Sequence, residues 1–387
     1  MSLPLHGGHA PPYLIRRMIT LSHAISKVII DEYGQQEFLR RLSDPLWFQA
    51  FGCVLGFDWH SSGLTTVVTG VLNQALKEDV HGISIAGGKG KKSTTTKNDI
   101  PKLAEKYYNL SSVKINDLLY ASRMAAKVDN AALQDGYSLY HHVILFDQHG
   151  DWAIIQQGMN PINRMARRYH WISDNCKSFI LEPHSGIISE RNGSNVLNMT
   201  SINSIDNQRI SVDLAIGNTD NLRSSVFKVT SVLASTGEYT LDRWFISENS
   251  VSADTHLYDN ILIEQYQMPH KLDWNLFNRI YDIRPQNYEQ LISIPGVGPA
   301  TVRALSLIGE LIYGTKASWQ DPVKYNFAHG GKDGVPYPVA RKVYDKSIRY
   351  LSSAIEGAEI EREDRIQALK KLAEYSARIF NTHESQR

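Results

Sequence analysis

The sequence predicts an α+β fold: a mixed N-terminal domain holding a β-hairpin or small sheet, followed by an all-helical C-terminal domain built on a helical hairpin. Three observations lead there. Apolar Leu14, Met18, Leu21, Ile25, Val28 and Ile29 recur at helical spacing. Tyr137 to Phe146 and Trp152 to Gln157 are rich in β-branched and aromatic residues and flank the turn Asp147-Gln148-His149-Gly150-Asp151. Leu291 to Leu305 reads as a helix, an Ile-Pro-Gly-Val-Gly turn and a second helix.

A chain of 387 residues has room for two or three domains. We divide it into an α+β unit over 1–190, where catalysis is expected, a connector with partial helix over 191–270, and the helical domain over 271–387. Hydrophobic residues make up 42% and charged residues 21%, the balance of a water-soluble globular protein. A net charge of +1 excludes a global field for nucleic acid, so any such contact depends on local basic patches. Cys53 and Cys176 are too few for a disulfide framework or a four-cysteine zinc site. No apolar run reaches membrane length, and the first residues lack a basic-then-apolar signal, so a cytoplasmic location is expected.

Pro12 to Leu42 is the first helix. Before it, His6 and His9 have no third ligand nearby, and no metal is expected. Asp44 to Leu76 is apolar, yet Asp58 and His60 stand inside it, where ionisable groups are costly unless paired or used. Ser61 or Ser62 suits the cap of a helix starting near Leu64. Ile83 to Ala86 predicts a strand feeding Gly87-Gly88-Lys89-Gly90-Lys91-Lys92-Ser93. The spacing departs from the nucleotide-binding P-loop, so Lys89 and Lys91 are assigned to a nucleic-acid backbone and no cofactor is expected.

Asn116 to Ala132 is helical in pattern, with Arg123 and Lys127 on one face. In the following hairpin the adjacent His141 and His142 must face opposite sides of a strand. Gly158 to Trp171 interleaves Arg164, Arg167 and Arg168 with aromatics, a composition suited to phosphates and to unpaired or flipped bases. From Arg191 to Asp254 periodicity weakens, with some helix expected over Asn195 to Ile210.

Leu272 to Tyr281 begins the helical domain. In its hairpin, Gly296 and Gly298 allow a tight turn, Pro299 suits the first helical position, and Val302, Leu305, Ile308 and Ile312 mark one apolar face up to Gly314. Free N–H groups at such a helix start form an anion site. Gly296, Val297, Gly298, Thr301 and Arg303 are therefore assigned to phosphate contact. The stretch resembles the helix-hairpin-helix of DNA-repair glycosylases. It departs from their pattern where lyase-competent members carry a lysine and this chain has Ala300, and the nearest candidate for their catalytic aspartate, Asp321, is displaced.

Phe57-Asp58-Trp59-His60-Ser61-Ser62-Gly63, Lys127 to Gly136, Gln156-Gln157-Gly158-Met159-Asn160 and Ala328 to Gly334 together resemble an archaeal family known as domain-of-unknown-function seven-six-three. That resemblance implies an archaeal origin and leaves activity open. The expected function is a DNA-repair enzyme, a glycosylase or glycosylase/AP lyase acting on damaged bases, with DNA as partner and a flipped or single-stranded base as target. Lys127 with Asp129 is the expected catalytic pair, assisted by Asp58, His60 or Asp135. A metal-dependent nuclease and a non-catalytic DNA adaptor are the alternatives.

Overall fold

A computed structural model describes residues 12–57, 63–162, 164–189, 193, 195–235, 267–323, 325–326 and 341–384. The chain opens with α1 (Pro12–Leu42), two helical runs joined at a kink where Gly34 has φ +84°, then α2 (Pro45–Val54), α3 (Gly63–Ala75) and β1 (Ile83–Lys89). α4 (Thr96–Leu103) and α5 (Ser112–Lys127) lead to strands β2 (Ser138–Asp147), β3 (Trp152–Asn160), β4 (Met165–Ile172) and β5 (Gly186–Ser189). Next come α6 (Ile205–Ala215), α7 (Thr219–Ser235), α8 (Trp274–Ile283), α9 (Tyr288–Ser293) and α10 (Pro299–Tyr313). The two-residue β6 (Tyr325–Asn326) precedes α11 (Arg341–Gly357) and α12 (Arg362–Glu384).

Local chemistry sets several of these boundaries. Asp44 accepts from the Leu46 and Trp47 amides at the head of α2, where Pro45 supplies a preset φ. Ser111 does the same for α5 through the Lys114 amide. α5 then widens into one π-turn, Val128–Ala132, which advances the chain toward the sheet.

The six strands lie side by side in chain order, antiparallel from β1 to β5 and parallel between β5 and β6. The hairpin expected from sequence is thus the centre of a larger sheet. Its two faces bury different helices. Ile83, Ile85, Val143, Leu145, Ile155 and Ile172 pack against α1, α2 and α3 and against Leu351, Ile355, Leu372 and Tyr375 of the last two helices. On the other side Ile144, Phe146, Ile154, Tyr169 and Trp171 meet α5 and the helices from α6 to α10. The fold is therefore mixed α+β and mostly helical, with a helical layer on each side of the sheet. Residues 271–387 contribute to both layers.

Two expectations change. Gly158 to Trp171 is mostly strand, not a phosphate-gripping surface segment. Because both faces of the sheet are covered, successive side chains of β4 are buried on opposite sides. Arg167 and Arg168 are 0% and 1% exposed, out of reach of a nucleic acid, while Arg164 stays exposed in the turn before the strand. In the 191–270 connector the described part is chiefly the two regular helices α6 and α7, longer than the partial helix expected.

Candidate functional site

The hairpin predicted from sequence consists of α9, the turn 294–298 and α10. Gly296 has φ +98°, a left-handed conformation that disfavours any Cβ, and one placed there meets the Arg279 Nη2 at 3.1 Å and Leu276 Cδ1 at 3.2 Å. Gly298 is the N-cap of α10 and provides no side-chain cap, with Pro299 following at the first turn. The early N–H groups of α10 therefore lack intrahelical acceptors and carry the positive end of the helix dipole. Gly296 is exposed and Gly298 half-buried, while Val297 and Thr301 are turned inward and are 1% and 5% exposed. Of the assigned contacts, backbone at Gly296 and Gly298 is the part that faces outward.

Lys127 reaches this turn from a different layer of the sequence. At the end of α5, its Nζ donates to the Val297 carbonyl at 2.6 Å and to the Ile294 carbonyl at 3.2 Å. Burial and the nearby Arg123 guanidinium hold its pKa below the usual lysine value. Gln134 adds a second tie, donating to the Pro299 carbonyl at 2.9 Å and accepting from Arg303 Nε at 2.8 Å. An amine thus sits at the turn even though position 300 is alanine.

Asp129, the expected partner of Lys127, points the other way. Its carboxylate is 0% exposed and accepts from Gln156 Nε2 at 2.5 Å, Trp171 Nε1 at 2.9 Å and His184 Nε2 at 2.5 Å. Gln156 in turn accepts from His142 Nδ1 at 2.8 Å, and the far side of that ring meets Ser122 Oγ at 2.8 Å. Two residues apart at a helix end, Lys127 and Asp129 project to different neighbours: one serves the turn, the other a polar chain under the sheet.

Asp135 is also an internal group. Its Oδ2 accepts from Arg167 Nη1 at 2.8 Å and from the Tyr169 hydroxyl at 2.7 Å. Arg167 grips Asp321 on its other side, Nη2 to Oδ2 at 2.6 Å and Nη1 to Oδ1 at 3.1 Å. Burial pushes the Asp135 carboxyl up, opposed by the Arg167 charge. Asp321 further accepts from the Gly193 and Val323 amides. The three side chains join β4, the segment after the π-turn and the loop after α10 into one staple.

Lys89 and Lys91 are exposed beside the glycine loop, where Gly87 has φ +99° and lies against the His142 carbonyl. Asp58 and His60 lie outside the described residues, as does the Ala328 to Gly334 stretch. Among the described residues no group of three His, Cys, Asp or Glu side chains is arranged to hold a metal ion, and no helix is long and apolar enough to cross a membrane.

Burial leaves several histidines uncharged. His141 is pushed down to about 3, first by burial and then by His142 and Lys89, and burial likewise lowers His142 and His170. In the unfolded chain these rings take up protons near pH 6.5, which the folded chain refuses, so stability falls as pH drops below that value. Asp44, Asp135 and Asp147, whose carboxyls are raised by burial, act in the opposite sense nearer the carboxylate range. The expected result is a melting temperature that declines from roughly pH 7 to 5, with uptake of more than one proton on unfolding. A flat profile over that interval contradicts it.

A family model described as "Protein of unknown function (DUF763)" matches residues 1–339. No curated protein and no solved structure matches the chain.

Proposed function

The chain belongs to that family of proteins of unknown function, and from its own geometry we propose that it binds DNA through the turn 294–298 and acts in DNA repair as a glycosylase/AP lyase with Lys127 as the reacting amine. The observation that carries this reading is the pair of hydrogen bonds from Lys127 Nζ to the Ile294 and Val297 carbonyls. They set an amine beside the backbone N–H groups that suit a phosphate. A neutral amine has two N–H groups and one lone pair; the two carbonyls engage both N–H groups and leave the lone pair as nucleophile. Burial and Arg123 favour that neutral form. In the lyase step the amine adds to the C1′ aldehyde of an abasic site and loses water to form an imine. Loss of a C2′ proton to water, with the electrons drawn to the protonated imine, then breaks the C3′–O bond and releases the 3′ phosphate, and water hydrolyses the imine to free the lysine. Asp129 and Asp135 are buried and paired, and their part is to hold the 127–137 segment in register.

Borohydride trapping with abasic duplex DNA tests this. A covalent complex is expected with the wild-type chain and with Lys91→Ala, and none with Lys127→Ala. A protein that binds the duplex yet gives no adduct removes the lyase role. The second reading, a non-catalytic DNA clamp, draws on the same two bonds as a way of stiffening the turn. It expects salt-sensitive binding with no product from any lesion.

A further inference from the structure

The face of the sheet away from the hairpin carries a polar row that the turn does not use. Lys89, His141, Gln157 and Arg168 are direct cross-strand neighbours in β1, β2, β3 and β4. α3 lies over them: Thr69 Oγ1 meets His141 Nε2 at 3.0 Å, and Thr65 Oγ1 accepts from Arg168 Nη1 at 3.3 Å.

Arg167 and Arg168 are adjacent, both buried, and provided for in opposite ways. Arg167 holds two carboxylates. Arg168 donates only to neutral acceptors: His170 Nε2 at 2.8 Å, Gln49 Oε1 at 3.2 Å, the Pro45 carbonyl at 3.3 Å and Thr65. His170 stays uncharged because burial and the Arg168 charge lower it, and its Nδ1 is held by the Leu42 carbonyl. Among the described residues no carboxylate pairs with Arg168. A guanidinium cannot shed its proton near neutrality, so a permanent charge is buried here for which the described residues supply no counter-charge. A second unmet demand lies two strands away in the same row. His141 Nδ1 is buried without a hydrogen-bond partner, on a side chain 2% exposed. α3 begins at Gly63, so Thr65 lies in its first turn, at the positive end of its dipole.

We propose that Arg168, His141 and Gln157, beneath the first two turns of α3, form a binding site for a phosphate-class anion, with Lys89 at its solvent edge. Phosphate is favoured over a carboxylate because the row supplies one fork of N–H donors, a ring nitrogen and a lysine across several strands, and the three-lysine loop 87–92 opens beside it. Thr69 donates its own hydroxyl to the Thr65 carbonyl and so accepts Nε2–H, which leaves Nδ1 as a lone pair. Hydrogen phosphate keeps a proton near neutrality and can donate it there; sulfate has none. The proposal does not rest on the hairpin reading.

The test follows the ring signals of the full-length chain carrying 15N-histidine, with inorganic phosphate as probe. The His141 signal, identified by its loss in His141→Asn, is expected to shift saturably with phosphate and weakly with sulfate. Arg168→Met should weaken that binding by roughly tenfold or more, and Lys127→Ala should leave it unchanged even if DNA binding is lost. Tighter binding of a small phosphomonoester assigns the anion to an organic phosphate; equal or weaker binding assigns free phosphate. A wild-type chain whose His141 signal does not move overturns the proposal, whether or not the arginine variant folds. So does a folded Arg168→Met chain that binds phosphate as well as wild type.

Discussion

Replacing Arg167 by leucine costs roughly 3–5 kcal/mol of folding stability. The guanidinium is the shared partner of Asp135 and Asp321, whose side chains are 1% and 3% exposed. Without it two carboxylates remain inside the protein facing each other, and both desolvation and mutual repulsion act against the folded state. The urea midpoint reports the loss, and the slope should hold if the denatured chain is unaltered. Adding Asp135→Asn and Asp321→Asn to the leucine variant should recover part of it, since the acids are then neutral. A single variant that loses less than about 1 kcal/mol would show that water already reaches this cluster.

The second large effect is expected on DNA. Gly296→Val forces a β-branched residue to φ +98° and puts its Cβ against Arg279 and Leu276. The turn must rearrange, at a local cost of about 1–3 kcal/mol. Its outward N–H groups lose their aim. If they hold a backbone phosphate, affinity for duplex DNA drops roughly tenfold to a hundredfold, and the salt dependence loses about one phosphate contact. Fluorescence anisotropy over a series of salt concentrations measures both. Unchanged affinity in a folded variant would place the DNA contact elsewhere on the molecule.

What the sequence made legible was governed by range. Pro12–Leu42, apart from its break at Gly34, and the two helices about the 294–298 turn follow from apolar spacing, a starting proline and a stopping glycine, all signals within a few residues. β4 was hidden because Arg167, Arg168 and His170 mask its alternation. Their acceptors come from Asp321, 154 residues away, and Gln49, 119 away, so the pattern that makes them internal is not local. The same holds for the site. The sequence marks Lys127 as a candidate, but its contact with a turn 170 residues further along is not written in any local pattern. Asp129 and Asp135 stand out in sequence as acids beside Lys127, but that Asp129 meets Trp171 and His184 and Asp135 meets Arg167 and Tyr169 depends on contacts 32 to 55 residues away.

The layer formed by α1, α2 and α3 is closed by the two last helices. Tyr375 donates to the Leu46 carbonyl across 329 residues, and Arg17 reaches Gln367 and Asp364. During synthesis the first helices therefore leave the ribosome with an oily face whose natural cover has not yet been made. The closing step comes late and across a very long loop, which slows it. Until then that apolar face stays open to misassembly and aggregation. These last helices also lie beyond residue 339, where the family match ends, so the cover of the N-terminal core lies outside the matched residues.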